Sequence, residues 1–166
     1  LLTSVTLDHT YLFYAVIRDI SSRKLAERAL YLSMQVIEHA SVAIVVMDPQ
    51  QRVVSMNPAY SEISGYSLDD MLGKPFVQHG VEPDTPAFFE HVWDEVEANG
   101  YWQGDIAGQR KAGARYPAWL SLTAIRDSQG QLSNYLAILS DISERKKNEE
   151  HTRHLAEHDF LTDLPN

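Results

Sequence analysis

The sequence predicts an α+β fold: one five-stranded antiparallel sheet with short helices on one face, flanked by linker helices. Three observations carry that prediction. The element order runs two strands, several short helices, one longer helix and three strands, which suits a single antiparallel sheet. Along 115–127, Tyr116, Ala118, Leu120, Leu122 and Ala124 alternate with Trp119, Ser121, Thr123 and Ile125, the period of a strand with two distinct faces. A near-repeat, FYAVIRDISSRK at 13–24 and YLAILSDISERK at 135–146, recurs 122 residues apart, a spacing that suits a domain plus its linker.

That repeat sets the organisation. Ala15/Ala137, Asp19/Asp141, Ile20/Ile142, Ser21/Ser143, Arg23/Arg145 and Lys24/Lys146 match. In both copies an apolar run ends at Asp-Ile-Ser and a charged helical stretch follows. Residues 1–21 are therefore expected to be the exit strand of an upstream domain, and 41–142 a whole second copy. Between them, 22–40 lacks Gly and Pro and reads as a linker helix. Its Leu25, Ala29, Leu32 and Val36 form a short heptad-like seam, expected to meet the same helix of a second chain; packing on its own domain is the other reading.

Within 41–142 each element has a local cause. VAIVVMD and RVVSMN, separated by PQQ, read as a hairpin. Asn57 can cap a short helix that has Pro58 in its first turn and stops at Gly65. Ser67 opens another turn, with Asp69 and Asp70 at its favourable N-terminal end and Gly73 closing it. Thr85-Pro86 opens the longer helix and Gly100 closes it; Phe89, Val92, Trp93 and Val96 form its apolar stripe. Strands 101–111, 115–127 and 132–142 follow, joined by Ala-Gly and SQGQ turns.

Composition narrows the function. A net charge of −9 and a pI near 5.1 disfavour nucleic acid as a partner, because phosphate binding needs a basic surface. The absence of cysteine removes disulfides, thiolate metal sites, thiol nucleophiles and thiol photoadducts. No run reaches the roughly 18 apolar residues of a membrane span and no signal peptide is visible, so no membrane contact is expected here and a cytoplasmic location is. No Ser-His-Asp order, Gly-rich phosphate loop or HExxH is present, so no catalytic residue is assigned.

At this point the residues resemble a known family. NPAYSEISGYSLDDMLGKP (57–75) resembles the PAS signature, and YWQGDIAGQRKAGARYPAWLSLTAIRDSQGQLSNYLAILSDISERK (101–146) resembles its C-terminal PAC motif. The resemblance implies a PAS fold, with 13–24 similar to the exit strand of an upstream PAS domain. HDFLTDLPN (158–166) resembles the opening of GGDEF domains, the diguanylate cyclase fold, through Asp159, Leu161-Thr162, Leu164 and Asn166. That implies a signalling linker helix over 143–158, a cyclase starting at 159–166, and a role in cyclic di-GMP signalling without catalysis by this chain.

The expected relay site is the Asp-Ile-Ser exit. Asp141 is read as capping the outgoing helix, with Glu144 completing a capping box and Arg145 pairing with Asp141 one turn on; Ser143 belongs to the motif, and Asp19, Ser21 and Arg23 repeat it upstream. The resemblance also implies a ligand pocket between the inner sheet face and the short helices. Its candidate lining is Met56, Asn57, Tyr60, Ile63, Phe76, Trp93, Trp102, Leu122 and Ile138, residues that could equally fill a core. Flavin adenine dinucleotide is the sharpest ligand candidate: Trp93, Trp102, Gly104, Arg110-Lys111 and Tyr116 are similar to flavin-binding PAS domains, although Gly108 and Gln109 stand where those carry Asn and a basic residue. Haem would need an axial histidine, and His79 and His91 sit in no haem-like motif. His151, His154 and His158 are read as a solvated helix face, with no metal assigned. The partners expected are a second copy, the neighbouring PAS and GGDEF domains and a small-molecule ligand.

Overall fold

The computed structural model describes residues 2–7, 10–15, 20–78 and 86–157, with side chains from 20 to 77 and from 88 to 153. Asp19, His79, Thr85, His158 and the segment 159–166 lie outside the described residues, as do the side chains of Ala87 and His154. The chain divides into two compact units, 1–36 and 37–166.

The first unit holds β1 (Leu2–Leu7), β2 (Thr10–Ala15) and most of α1 (Ser21–Glu38). Where one exit strand was expected, β1 and β2 form an antiparallel hairpin in register from Leu2↔Ala15 to Leu7↔Thr10. Helix α1 buries none of its side chains; Leu25, Leu32 and Val36 of the seam are 69%, 55% and 71% exposed.

The second unit is a five-stranded antiparallel sheet with helices on its inner face. The strands are β3 (Ala43–Met47), β4 (Val53–Met56), β5 (Tyr101–Gln109), β6 (Arg115–Arg126) and β7 (Leu132–Asp141), in the order β4-β3-β7-β6-β5. The helices are α2 (Pro58–Ser64), α3 (Leu68–Met71), a 3-10 turn at Phe76–Gln78, α4 (Pro86–Asn99) and the exit helix α5 (Ser143–Glu157). Among the described residues, no helix is long and apolar enough to cross a membrane.

The alternation read along β6 holds: Tyr116, Ala118, Leu120 and Leu122 are buried on the inner face. Tyr135, Ala137 and Leu139 of β7 join them, and the α4 stripe of Phe89, Val92, Trp93 and Val96 closes over the sheet. Two similar turns shape the sheet. Asp48 accepts from the backbones of Gln50 and Arg52, and Asp127 from those of Gln129 and Gln131, the local side-chain bonding that favours Asp in turns. Because β3 lies beside β7, with Ala43 opposite Leu139, the point where the chain enters the sheet adjoins the point where it leaves.

Candidate functional site

The chemically busiest place in the second unit is the turn joining β5 to β6, where Arg110 and Lys111 reach back across the fold. Gly113, at φ +89°, lets the turn close, with the Gly113 backbone donating to the Arg110 carbonyl at 2.8 Å. Arg110 then makes three contacts. One guanidinium nitrogen donates to the Ile63 carbonyl near the end of α2. The other donates to Asp141 Oδ2 at 2.6 Å. The group also stacks on the Tyr116 ring, 4.4 Å from its centroid, the planar geometry arginine is suited to.

Lys111 holds the same helix from the other side. Its backbone N–H donates to the Ser64 carbonyl at 2.8 Å, and its ammonium lies 2.6 Å from Asp70 Oδ2. Asp70 is also the capping-box partner of Ser67. The bond from Lys111, then those from Ser67, hold the Asp70 carboxyl well below the usual carboxylate range.

Asp141 sits at the root of the exit helix. Its Oδ1 accepts from the Ser143 backbone N–H at 2.8 Å and from the Ser143 hydroxyl at 2.6 Å, while Oδ2 takes Arg110. Partial burial pushes this carboxyl up, but the bonds from Ser143 and Arg110 outweigh it, so its pKa lies below the ordinary aspartate value. The Ile142 backbone donates to the Pro117 carbonyl at 3.0 Å and ties the same point to β6. Asp141 therefore touches the C-terminal end of α2 through Arg110 and the first turn of α5 through Ser143.

This corrects two expectations about the relay residues. Helix α5 begins at Ser143, so Asp141 acts from two residues before it and Glu144 does not complete a capping box; Glu144 instead lies 3.0 Å from Lys147. Arg145 does not pair with Asp141, whose guanidinium partner is Arg110 from the β5–β6 turn. Arg145 lies 3.7 Å from Asp105 on β5 and 3.7 Å from Glu149, and Lys146 lies 2.7 Å from Asp105. In the upstream copy Arg23 pairs with Glu27 within α1 at 2.8 Å.

Most of the pocket candidates do face the core. Tyr60, Phe76, Trp93 and Leu122 are buried, and Met56, Ile63 and Trp102 pack against them. Asn57 is buried and structural: its Oδ1 accepts from Ile44 and Tyr60, and its Nδ2 donates to the Ile37 and Val42 carbonyls. Ile138 is the exception. It lies between Ala137 and Leu139, which face inward, so strand alternation puts it on the outer face.

Two buried polar atoms, Trp93 Nε1 and Tyr116 Oη, have no hydrogen-bond partner among the described residues. Buried donors are rarely left unmet, so both mark places where the core could meet water or a ligand. Burial, partly offset by Arg110, pushes the Tyr116 hydroxyl up to about 12, so it stays protonated and able to donate. Arg110 and Lys111, two of the residues named for the flavin candidate, bond to Ile63, Asp141 and Asp70. His91 is exposed beside Glu95 at 3.3 Å.

Sequence reasoning missed the two roles that organise this site, Arg110 as the hub and Asp105 as the partner of the exit helix. Neither follows from spacing, since each contact spans more than thirty residues. The signal that was present is Gly108 before the turn: a Cβ there would lie 2.6 Å from the Tyr116 ring, so the ring on which Arg110 stacks needs a glycine beneath it.

A profile described as PAS domain matches residues 41–144. The nitrogen fixation regulatory protein of Klebsiella oxytoca is 30% identical over 112 residues, covering 68% of this chain and 23% of that protein. A probable diguanylate cyclase of Escherichia coli is 25% identical over 126 residues, covering 75% of this chain and 11% of that protein. The crystal structure of a PAS domain from Colwellia psychrerythraea superposes with a TM-score of 0.65 at 27% identity, covering 70% of this chain and 99% of that one. The chain thus spans about a quarter or less of the length of these two relatives.

Proposed function

The chain belongs to the PAS domain family, and on that premise we propose that it is a signal-input and relay module acting on a diguanylate cyclase in the same polypeptide. PAS sensory domains occur in signalling proteins, among them a diguanylate cyclase relative. The observation that carries the reading is the position of Asp141, bonded at once to Arg110 and to the first residue of α5. Through Arg110 it is one step from Ile63, a side chain that packs on the core. A change in the core that moves α2 would pull on Arg110, then on Asp141, then on the exit helix.

The input is a small molecule taken up by the core, for which the unmet donors Trp93 Nε1 and Tyr116 Oη are the recognition points. The output is the geometry of a paired α5, and the exposed seam of α1 supports a homodimer as the working unit. A cyclase that joins two nucleotides needs two active sites brought together, so dimer geometry suffices as control, and the expected compartment is the cytoplasm. The competing reading is a ligand-free module that only dimerises and spaces its neighbours.

Replacing Asp141 by Ala in the full-length protein tests the relay: output should lose its response to signal while cyclic dinucleotide is still made. A response equal to wild type would remove Asp141 from the pathway. Native mass spectrometry and the absorption spectrum of the purified chain test the input. A co-purified small molecule supports sensing, a flavin band identifies it as a flavin, and an empty core after purification and metabolite screening favours the spacer.

A further inference from the structure

The exit helix has a second hold on the sheet, independent of Asp141. Asp105 lies on the edge strand β5 with its side chain directed away from the core, between inward-facing Gly104 and Ile106. Its carboxylate lies 2.7 Å from Lys146 Nζ and 3.7 Å from Arg145 Nη2. Consecutive residues on an α-helix project about 100° apart. One carboxylate therefore sits between two cations that straddle it around the helix axis.

That arrangement resists rotation in a particular way. Turning α5 in one direction lengthens the Lys146 contact and shortens the Arg145 contact; turning it back does the reverse. The two distances differ by 1.0 Å. For a helix whose side chains reach about 5–6 Å from its axis, a shift of that size needs a twist on the order of 10°. All three side chains are about half exposed, so each ion pair is weak and can be exchanged thermally. Other charges nearby are Glu149, 3.7 Å from Arg145 one turn on, Glu144, engaged by Lys147, and Arg115, which lines the same surface cavity as Asp105 and Lys146.

We infer that Asp105 is a rotary stop for the exit helix, a positioning residue that hands its carboxylate from Lys146 to Arg145 as α5 turns. This rests on the reading of α5 as the output element and names how its motion is limited. The stop is coupled to the core, because the inner face of β5 carries Trp102, which packs edge-on against Phe88 of α4 at 5.7 Å. Movement of α4 against β5 thus reaches α5 without passing through Arg110. The same Arg-Lys order follows the Asp-Ile-Ser of the upstream copy, at Arg23-Lys24.

The test compares two neutralising variants of the 166-residue chain, Lys146→Gln and Arg145→Gln, by amide residual dipolar couplings that report the orientation of α5 against β6 and β7. Both positions are solvent-facing, and unchanged couplings within the sheet verify that the fold is intact. Removing Lys146 should turn α5 toward Arg145, removing Arg145 should turn it the other way, and Asp105→Asn should broaden or average the α5 couplings. Shifts of opposite sign support the stop; shifts in the same direction, or none, overturn it. The relay reading fails separately: if the two variants turn α5 oppositely but the full-length Asp141→Ala protein still responds to signal as wild type does, the stop stands and the route through Asp141 does not.

Discussion

Asn57 shows how much one buried side chain can organise. Both its oxygen and its nitrogen are used twice, on Ile44, Tyr60, Ile37 and Val42, so it joins the end of α1 to β3 and starts α2. Asn57→Ala removes this partner from the Ile44 and Tyr60 N–H groups and from the Ile37 and Val42 carbonyls, and should lower stability by about 2–4 kcal/mol in urea unfolding. Only the capping part of this role was legible, from Asn-Pro ahead of an apolar helix. The bonds to Ile37 and Val42 are tertiary and leave no local pattern. Asp141 adds a pH signature. Its folded pKa is below the unfolded value of about 3.9, so it stabilises the fold fully above that value and loses its contribution as pH falls through 4 toward the folded pKa. The Asp141→Asn variant should be less stable at pH 7, and its gap to wild type should begin to narrow as pH falls below about 4. A stability gap that stays constant between pH 7 and pH 3 would show that charge is not what Asp141 supplies.

At the scale of elements, period-two alternation along β6 and the stripe on α4 were readable because the sheet and helix each bury one face, and burial selects apolar side chains at the matching spacing. The start of α5 at Ser143 was legible from the Asp-Ile-Ser exit, but the capping box that Asp-Ile-Ser-Glu suggests does not form. In the fold, Ile142 is drawn onto Pro117 and the helix begins after it. The β5–β6 turn was read as a turn, but its reach to α2 and α5 could not be, since that depends on which strands become neighbours. Gly108 gives this element a direct test. An alanine Cβ would stand 2.6–3.0 Å from three atoms of the Tyr116 ring, already fixed by Arg110 stacking at 4.4 Å. Gly108→Ala should cost about 1–3 kcal/mol, the usual range for overpacking, and should speed amide exchange at Ser143 as the Arg110–Asp141 bond loosens. Gly104→Ala makes a useful comparison: its Cβ would meet the Trp102 ring at 2.8 Å, but Trp102 is only half-buried and freer to give.

At the scale of the whole molecule, the repeat at 13–24 and 135–146 suggests two copies of one exit, and the chain divides into two units at Val36–Ile37, inside the expected linker helix and not at either of its ends. What the repeat could not convey is how unequally they are provided for. The second unit has its own core, whereas α1 carries Leu25, Leu30, Tyr31, Leu32, Met34 and Val36 all more than half exposed. An 18-residue helix that buries no side chain gains little from packing, the main source of helical stability in proteins. The proposed dimer resolves this by setting Leu25, Ala29, Leu32 and Val36 against the same seam of a second chain. Sedimentation equilibrium should then find the chain dimeric, and Leu25→Glu with Leu32→Glu should raise the dissociation constant at least tenfold while leaving the thermal unfolding of the second unit unchanged. A variant that dimerises as tightly as wild type would place the self-contact elsewhere, and a chain that is monomeric at every concentration would remove the homodimer from the proposed output.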